Sequence, residues 1–232
     1  MSNNVYYFGT RNPLIPLIEK ASELEFKNHP DFQIVDLGGA YPLSIQDIIS
    51  KADKELPTVI LSNRRYNLSD SLGEVESKLL EYFSNVILFR TAPLDINVDL
   101  YKKWAASTGV LLVAFEPRGV AWLESRDLVD AIFLSISQVH RRSGKAYDLT
   151  GPDLISMQSL KSYIEKEVDK NLEIKDLDSE DGREALTKQQ YPQDTIEWLI
   201  NYQKYSSDNR LAPTTSTLEK ILNKKPKNII KN

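Results

Sequence analysis

Residues 109–152 read GVLLVAFEPRGVAWLESRDLVDAIFLSISQVHRRSGKAYDLTGP, and this stretch decides the fold class. Val110 to Phe115 is a near-continuous apolar run, the pattern of a strand covered on both faces. Pro117-Arg118-Gly119 makes a turn into a short strand over Val120-Ala121-Trp122. Ser125 is placed to cap a long apolar helix over Arg126–Ser137. A closing strand follows, ending in YDLTGP. Strand, helix and strand in this order form the repeating unit of an α/β fold.

The same alternation runs back to the start of the chain. Val5 to Phe8 is β-branched and aromatic and stops at Gly9. Asn12-Pro13 opens a helix in which Leu14, Leu17, Ile18, Ala21 and Leu24 fall at helical spacing. Phe32 to Leu37 is a second strand. Ser44 with Asp47 makes a capping box for a helix over Ser44–Ala52, and Thr58 to Leu61 is a buried strand. Ser71 to Phe83 is an amphipathic helix with Leu72, Val75, Leu79, Tyr82 and Phe83 on one face. Val86 to Arg90 is the next strand, and a helix connects Leu94 to Ala106.

Composition changes after Gly151. Ser156 to Val168 reads as a helix, LEIKDLDSEDGRE (172–184) as an acidic loop, and Asp194 to Tyr205 as a further helix. The lysines at 220, 224, 225, 227 and 231 read as a solvated helix end. Residues 1–150 are therefore expected to form the Rossmann-like body, and 151–232 a lobe packed on it.

The chain has 232 residues, enough for one α/β domain with a small appendage. No apolar run reaches the roughly 18 residues that cross a bilayer. MSNNVYYFGT lacks the basic start of a signal peptide, so a cytoplasmic location is expected. No cysteine is present, which excludes disulfides, thiol catalysis and thiolate metal sites. The two histidines, His29 and His140, lie far apart, and no metal site is expected. A formal charge of −4 argues against nucleic acid as the main ligand.

RGVAWLESRDLVDAI followed by YDLTGP resembles the core of the NmrA-like proteins, an atypical branch of the short-chain dehydrogenase/reductase superfamily. VILFR resembles that family's T-I-L-R-P, with Thr91 at the proline position. Residues 71–83 resemble its H/K-G-x-x-E helix, with Glu76 at the glutamate and Leu72 in place of the basic residue. The C-terminal segment resembles the element T-x-x-x-x-x-x-G-x-x-P-x-x-F, with Asn223 at the glycine, Pro226 kept and Ile229 at the aromatic position. The resemblance implies a mostly parallel Rossmann-like sheet with helices on both faces and a small, mainly helical C-terminal lobe. It also places Arg126-Asp127 at a helix start, where the pair ties loops together.

The branch includes NAD(P)H-dependent reductases and non-catalytic dinucleotide-binding regulators. Its glycine turn is spaced G-x-x-G-x-x-G. Aligned on Gly9, the second and third glycines become Asn12 and Ile15, and a β-branched side chain there departs from close helix–strand packing. Asp36-Leu37 resembles the Asp-Leu that closes the family's third strand, so the sheet is expected to be reduced by about one strand, the second. The cofactor candidates carried over are Gly9, Thr10, Arg11, Asn12, Asp36, Leu37, Ser62 and Asn63. Arg64, Arg90 and Trp122 are the candidates for a substrate or ligand pocket.

The chain has 11 tyrosines, none with lysine four residues on, so the Tyr-x-x-x-Lys acid–base pair is missing. P-loop, Gly-x-Ser-x-Gly and His-Glu-x-x-His motifs are also missing. Three functions stay open. The favoured one is a non-catalytic regulator or partner-binding protein with a filled cofactor groove, no resident cofactor, and a protein partner or self-association. The second is an NAD(P)H-dependent reductase of a small carbonyl or quinone, with an open groove over Gly9. The third is a cofactor-independent isomerase or cyclase using the old substrate pocket.

Overall fold

The computed structural model describes residues 4–9, 12–26, 30–38, 44–63, 71–113, 119–176, 179–188, 193, 196–197, 200 and 214–230. β1 (Val5–Phe8) leads through a 3-10 turn at Asn12–Leu14 into the short helix α1 (Ile15–Lys20), which ends in a π turn over Ala21–Glu25. Next come β2 (Phe32–Asp36), α2 (Ile45–Lys51), β3 (Thr58–Asn63), α3 (Ser71–Tyr82) and β4 (Val86–Thr91). α4 (Ile96–Thr108) and β5 (Val110–Val113) precede α5 (Ser125–Ile136), α6 (Val139–Arg142) and β6 (Lys145–Leu149). α7 (Met157–Val168), β7 (Glu173–Asp176), α8 (Glu180–Lys188) and α9 (Thr217–Leu222) complete the described elements.

The main sheet has five parallel strands in the order β1-β2-β3-β4-β6. Side chains alternate between its faces. Ile34, Val59, Leu61, Ile87 and Phe89 pack on one face with α1, α5 and α9. Val35, Ile60 and Leu88 pack on the other with α2 and α3. Burying each such side chain contributes about 1.5–3 kcal/mol. Phe133 of α5 anchors the first face. Its ring stacks on Phe26 at 4.9 Å and meets Phe32 edge-on at 5.2 Å.

The doubly wound α/β fold read from the sequence is therefore present, with helices on both faces of a parallel sheet. The order of strands places Asp36-Leu37 differently from the expectation. In the doubly wound order 3-2-1-4-5-6 the first strand is central, between the second and the fourth. Here β1 has a strand partner on one side only among the described residues, and that partner is β2. β2 thus lies beside the first strand, where that order has the second or the fourth strand and not the third. Five strands stand where that order has six, so the sheet is reduced by about one strand, as expected.

β5 lies outside the main sheet. It pairs in parallel with β7, Val110 beside Glu173. Leu111 and Leu112 enter two different apolar clusters, so the run is covered on both faces as its pattern predicts, though in a two-stranded sheet. The stretch read as an acidic loop instead holds β7 and α8, because Ile174 and Lys175 extend alongside Leu111 and Leu112. A second apolar cluster draws on α4 and β5 from before residue 150 as well as on the segment after it. The helix expected over Asp194–Tyr205 falls largely outside the described residues. Ile196 and Ile200 are buried with Leu112 and Leu186.

α5 starts one residue earlier than read. Glu124 caps it, accepting from the Asp127 amide at 2.9 Å. Ser125 is unavailable as a cap because its amide and hydroxyl both donate to Asp95 Oδ1. Ser44 is the N-cap of α2 as read, its hydroxyl accepting from the Asp47 amide at 3.4 Å.

Candidate functional site

Ligand crevices in open α/β sheets lie at the strands' carboxyl ends, where neighbouring connections leave to opposite faces. In this chain one such point lies between β1 and β2, and another between β3 and β4. After β1 the backbone turns to the α1 face, where Leu14, Ile18 and Ala21 are buried. After β2 it turns to the α2 face, where Ile48 packs against Val35 and Ile60.

Gly9 and Asp36 meet at this point. The Asp36 carboxylate accepts from the Tyr7 hydroxyl at 2.6 Å and from the Gly38 amide at 2.9 Å. The residue is 1% exposed. A Cβ on Gly9 would lie 2.6 Å from Asp36 Cβ and 3.0 Å from the Tyr7 ring. Gly9 is therefore needed because Asp36 and Tyr7 fill the space its side chain would take. Leu37 continues the ladder, donating to Leu61 O at 2.7 Å, and packs on the α2 face. Thr10 and Arg11 lie outside the described residues. Asn12 begins the 3-10 turn, and its side chain lies outside them as well.

Farther across the sheet, Ser62 is fully buried at the end of β3, and its carbonyl accepts from Thr91 Oγ1 at 3.3 Å. Asn63 stands beside Thr91 in the ladder. Arg64 lies outside the described residues. Arg90 is engaged by α3, its Nε and Nη2 donating to Glu76 Oε2 at 3.1 and 2.9 Å. Glu76 is 2% exposed, so the guanidinium acts as its counter-ion.

Trp122 belongs to a separate core. It is buried with Val98, Leu111, Ile155, Leu160 and Ile164, and meets Tyr101 edge-on at 6.0 Å. Its indole Nε1 is buried without a hydrogen-bond partner among the described residues. Gly151 donates to Ala121 O at 3.0 Å, and a Cβ there would collide with Trp122 O at 1.9 Å. Of the carried-over residues, the fold thus joins Gly9 to Asp36 and lines up Ser62, Asn63 and Arg90 along neighbouring strands. Trp122 stands apart in the second core.

Tyr7 is the site residue the sequence reading missed. A tyrosine two residues before the turn glycine, next to a strand ending in Asp, was the available signal. Register alone places the pair together, with Tyr7 beside Ile34 and Phe8 beside Val35.

A second polar cluster surrounds the start of α5. Asp127 Oδ2 accepts from the Lys227 amide at 2.7 Å, and Asp130 Oδ2 accepts from Lys224 Nζ at 3.0 Å. Two of the lysines read as a solvated helix end thus serve to tie the chain terminus down, and Asp127 ties loops together as the resemblance implied. Burial pushes the Glu124 carboxyl above its ordinary value, partly countered by the Asp127 amide. Hydrogen bonding to Asp130 raises Lys224. Among the described residues, no group of three or more acidic or histidine side chains could hold a metal ion. No described helix is long and apolar enough to cross a membrane.

No protein-family model matches the chain, and no curated protein matches it in sequence. Solved structures do match in fold. A nucleoside-diphosphate-sugar epimerase from Staphylococcus aureus superposes with a TM-score of 0.71 at 12% identity, over 97% of this chain and 98% of its own. An NADPH-dependent quinone oxidoreductase from Escherichia coli, complexed with NADPH, gives 0.69 at 18% identity, over 94% and 78%. The triphenylmethane reductase of Citrobacter sp., complexed with NADP(H), gives 0.62 at 13%, over 98% and 74%. At these identities the likeness is one of fold: this chain has the Rossmann-like architecture of NAD(P)-dependent reductase- and epimerase-type proteins.

Proposed function

We propose that this chain is an NmrA-like protein with lost or altered NAD(P) binding, acting in the cytoplasm as a non-catalytic regulatory or partner-binding protein. The observation that carries this reading is the position of β1. A dinucleotide is held by two mononucleotide-binding halves that meet at the first strand. The first half needs the glycine turn, the helix after it and the strands beyond. Here that half consists of β1 and the helical run Asn12–Glu25, with no outer strand among the described residues. The space beside Gly9 is taken by Asp36 and Tyr7. Arg90, which an anionic ligand would need, neutralises a buried glutamate.

The NmrA-like part of the reading draws on the C-terminal element. Asn223, at the family's glycine position, adopts the left-handed conformation with φ +51° that a glycine there would supply. Pro226 is buried, and Ile229 packs into the second core. A protein partner or a second copy is the proposed ligand class, with a small molecule as the lesser alternative. Nucleic acid and membrane are not expected.

The competing reading is an NAD(P)H-dependent reductase of a small carbonyl or quinone. It draws on the fold shared with an oxidoreductase and a reductase solved with NADPH and NADP(H). Turnover separates the two. Consumption of NADPH, followed by its absorbance with a benzoquinone or a triphenylmethane dye as acceptor, is expected to match the protein-free rate. Protein-dependent consumption would reject the non-catalytic reading.

A further inference from the structure

We propose that the corner where α6 meets β6 is a docking surface for an acidic, extended segment of a partner protein, a surface that deepens the partner-binding reading above and rests on it. Unpaired cations, braced side chains and an uncovered sheet edge come together there.

The sequence VHRRSGK (139–145) places His140, Arg141, Arg142 and Lys145 in α6 and at the start of β6 with no acid among them. Elsewhere the chain matches its cations with carboxylates. Arg90 pairs with Glu76, Arg126 with Asp130, Lys161 with Glu165 and Arg183 with Glu197. Among the described residues, none of His140, Arg141, Arg142 and Lys145 has such a partner. In a protein of formal charge −4 this is a local excess of the opposite sign, and it steers an acidic partner toward one corner.

Arg142 and Lys145 are held in place before any partner arrives. The Arg142 guanidinium lies over the Tyr147 ring, 5.8 Å from its centroid, and its Nε is buried with no hydrogen-bond partner among the described residues. Lys145 Nζ donates to Arg141 O at 2.9 Å. A braced side chain loses less freedom on binding. β6 adds main-chain groups. Its register with β4, and the bond from the Ala92 amide to Leu149 O, turn the backbone of Lys145, Tyr147 and Leu149 toward β4, so that of Ala146 and Asp148 faces away. Asp148 O is taken by Thr215 Oγ1 at 2.8 Å. Ala146 is exposed, and no described strand lies beside it on that side. An extended peptide can add there, with acids at alternate positions on the face that carries Lys145 and Tyr147.

The chemistry favours protein over other polyanions. Strong nucleic-acid binding takes about 6–10 phosphate contacts, more than these cations offer. The exposed large apolar side chains among the described residues, Tyr6, Leu24, Leu154 and Ile174, all lie outside 139–147, so no apolar anchor for a membrane accompanies the charge.

The probe is a short peptide alternating Glu and Thr, labelled with a neutral dye and titrated with the full chain by fluorescence anisotropy at low salt. Wild type is expected to bind it, to release it as salt rises, and to ignore the matching Lys–Thr peptide. Arg142→Gln/Lys145→Gln is expected to weaken binding roughly tenfold or more. Ala146→Pro removes an outward-facing amide hydrogen and is expected to weaken it about fivefold. Urea midpoints check that each variant is folded. Should the double variant not fold, Arg141→Glu, at an exposed position, carries the same expectation. No binding by wild type, or equal binding by wild type and a folded charge variant, would overturn the docking surface. Unchanged binding by folded Ala146→Pro would overturn the added strand. Tighter binding of a thymidine oligonucleotide or of phosphatidylserine vesicles than of the peptide would overturn the protein partner. The non-catalytic reading fails on a different measurement, NADPH consumption, so the two failures are told apart.

Discussion

The two ends of the main sheet are built very differently. At the β6 end the strand is covered by the C-terminal segment. Thr215 donates to Asp148 O at 2.8 Å and to Thr150 Oγ1 through its amide at 2.9 Å, while α9 buries Leu218, Ile221 and Leu222 against the sheet. At the β1 end a four-residue strand carries the half-exposed Tyr6, and the helical run after it, Asn12–Glu25, ends in a π turn. One end is covered by a helix and a hydrogen-bonded segment. The other ends in β1, which pairs only with β2 among the described residues. The core that holds the fold therefore lies toward β3, β4 and α5, and the chemistry expected of the fold lies where the structure is thinnest.

The largest way to break this contrast is at Phe133, where two aromatic rings and the sheet meet. Phe133→Ala is expected to cost about 3–5 kcal/mol, read as a lower urea midpoint. A loss below about 1 kcal/mol would mean that the core lies elsewhere. Next is the Glu76–Arg90 pair. Glu76→Ala strands a nearly buried guanidinium and is expected to cost about 3 kcal/mol in the same assay. If Arg90 instead serves a ligand, this variant would leave stability nearly unchanged.

At the reduced end, Tyr7→Phe removes one hydrogen bond to a buried carboxylate but keeps the ring. The expected cost is about 1–3 kcal/mol. A cost equal to that of Phe133→Ala would erase the difference between the two ends.

The smallest effect concerns Glu124. Burial raises its carboxyl above the ordinary value, so the folded state holds the proton more tightly than the unfolded chain does. Ionisation then opposes folding, and wild-type stability falls as pH rises through the raised value. Glu124→Gln keeps an acceptor for the Asp127 amide and removes the charge. The variant is expected to gain on wild type as pH rises, and to lose that advantage below the unfolded carboxylate range. A melting-temperature difference independent of pH would contradict this.

The fold was largely legible because it rests on periodicity. The alternation of strand and helix, the capping box at Ser44 and the apolar helix after Glu124 each follow from local spacing. Strand order was less legible, because Phe32–Leu37 looks the same in a third or a fourth position. Only its pairing directly beside β1 settles the matter. β7 escaped because its side chains alternate Glu, Ile, Lys and Asp, which reads as a polar loop until Leu111 and Leu112 lie beside it. The site was half legible. Gly9 and Asp36 stood out as glycine and acid, but the hydrogen bond that Asp36 accepts from the Tyr7 hydroxyl, 29 residues away on the neighbouring strand, is marked by no local pattern. Arg90 read as a ligand group because its partner, Glu76, lies on another element.

Thermal unfolding in millimolar NADPH, NADP⁺, NADH and NAD⁺ tests the loss of dinucleotide binding most directly. A ligand present at 100 times its dissociation constant adds about 2.7 kcal/mol and lifts the melting temperature by several degrees. On the proposed reading, in which NAD(P) binding is lost or altered, no shift is expected with any of the four. A clear shift with one of them would contradict that loss and return the protein to the reductases whose fold it shares.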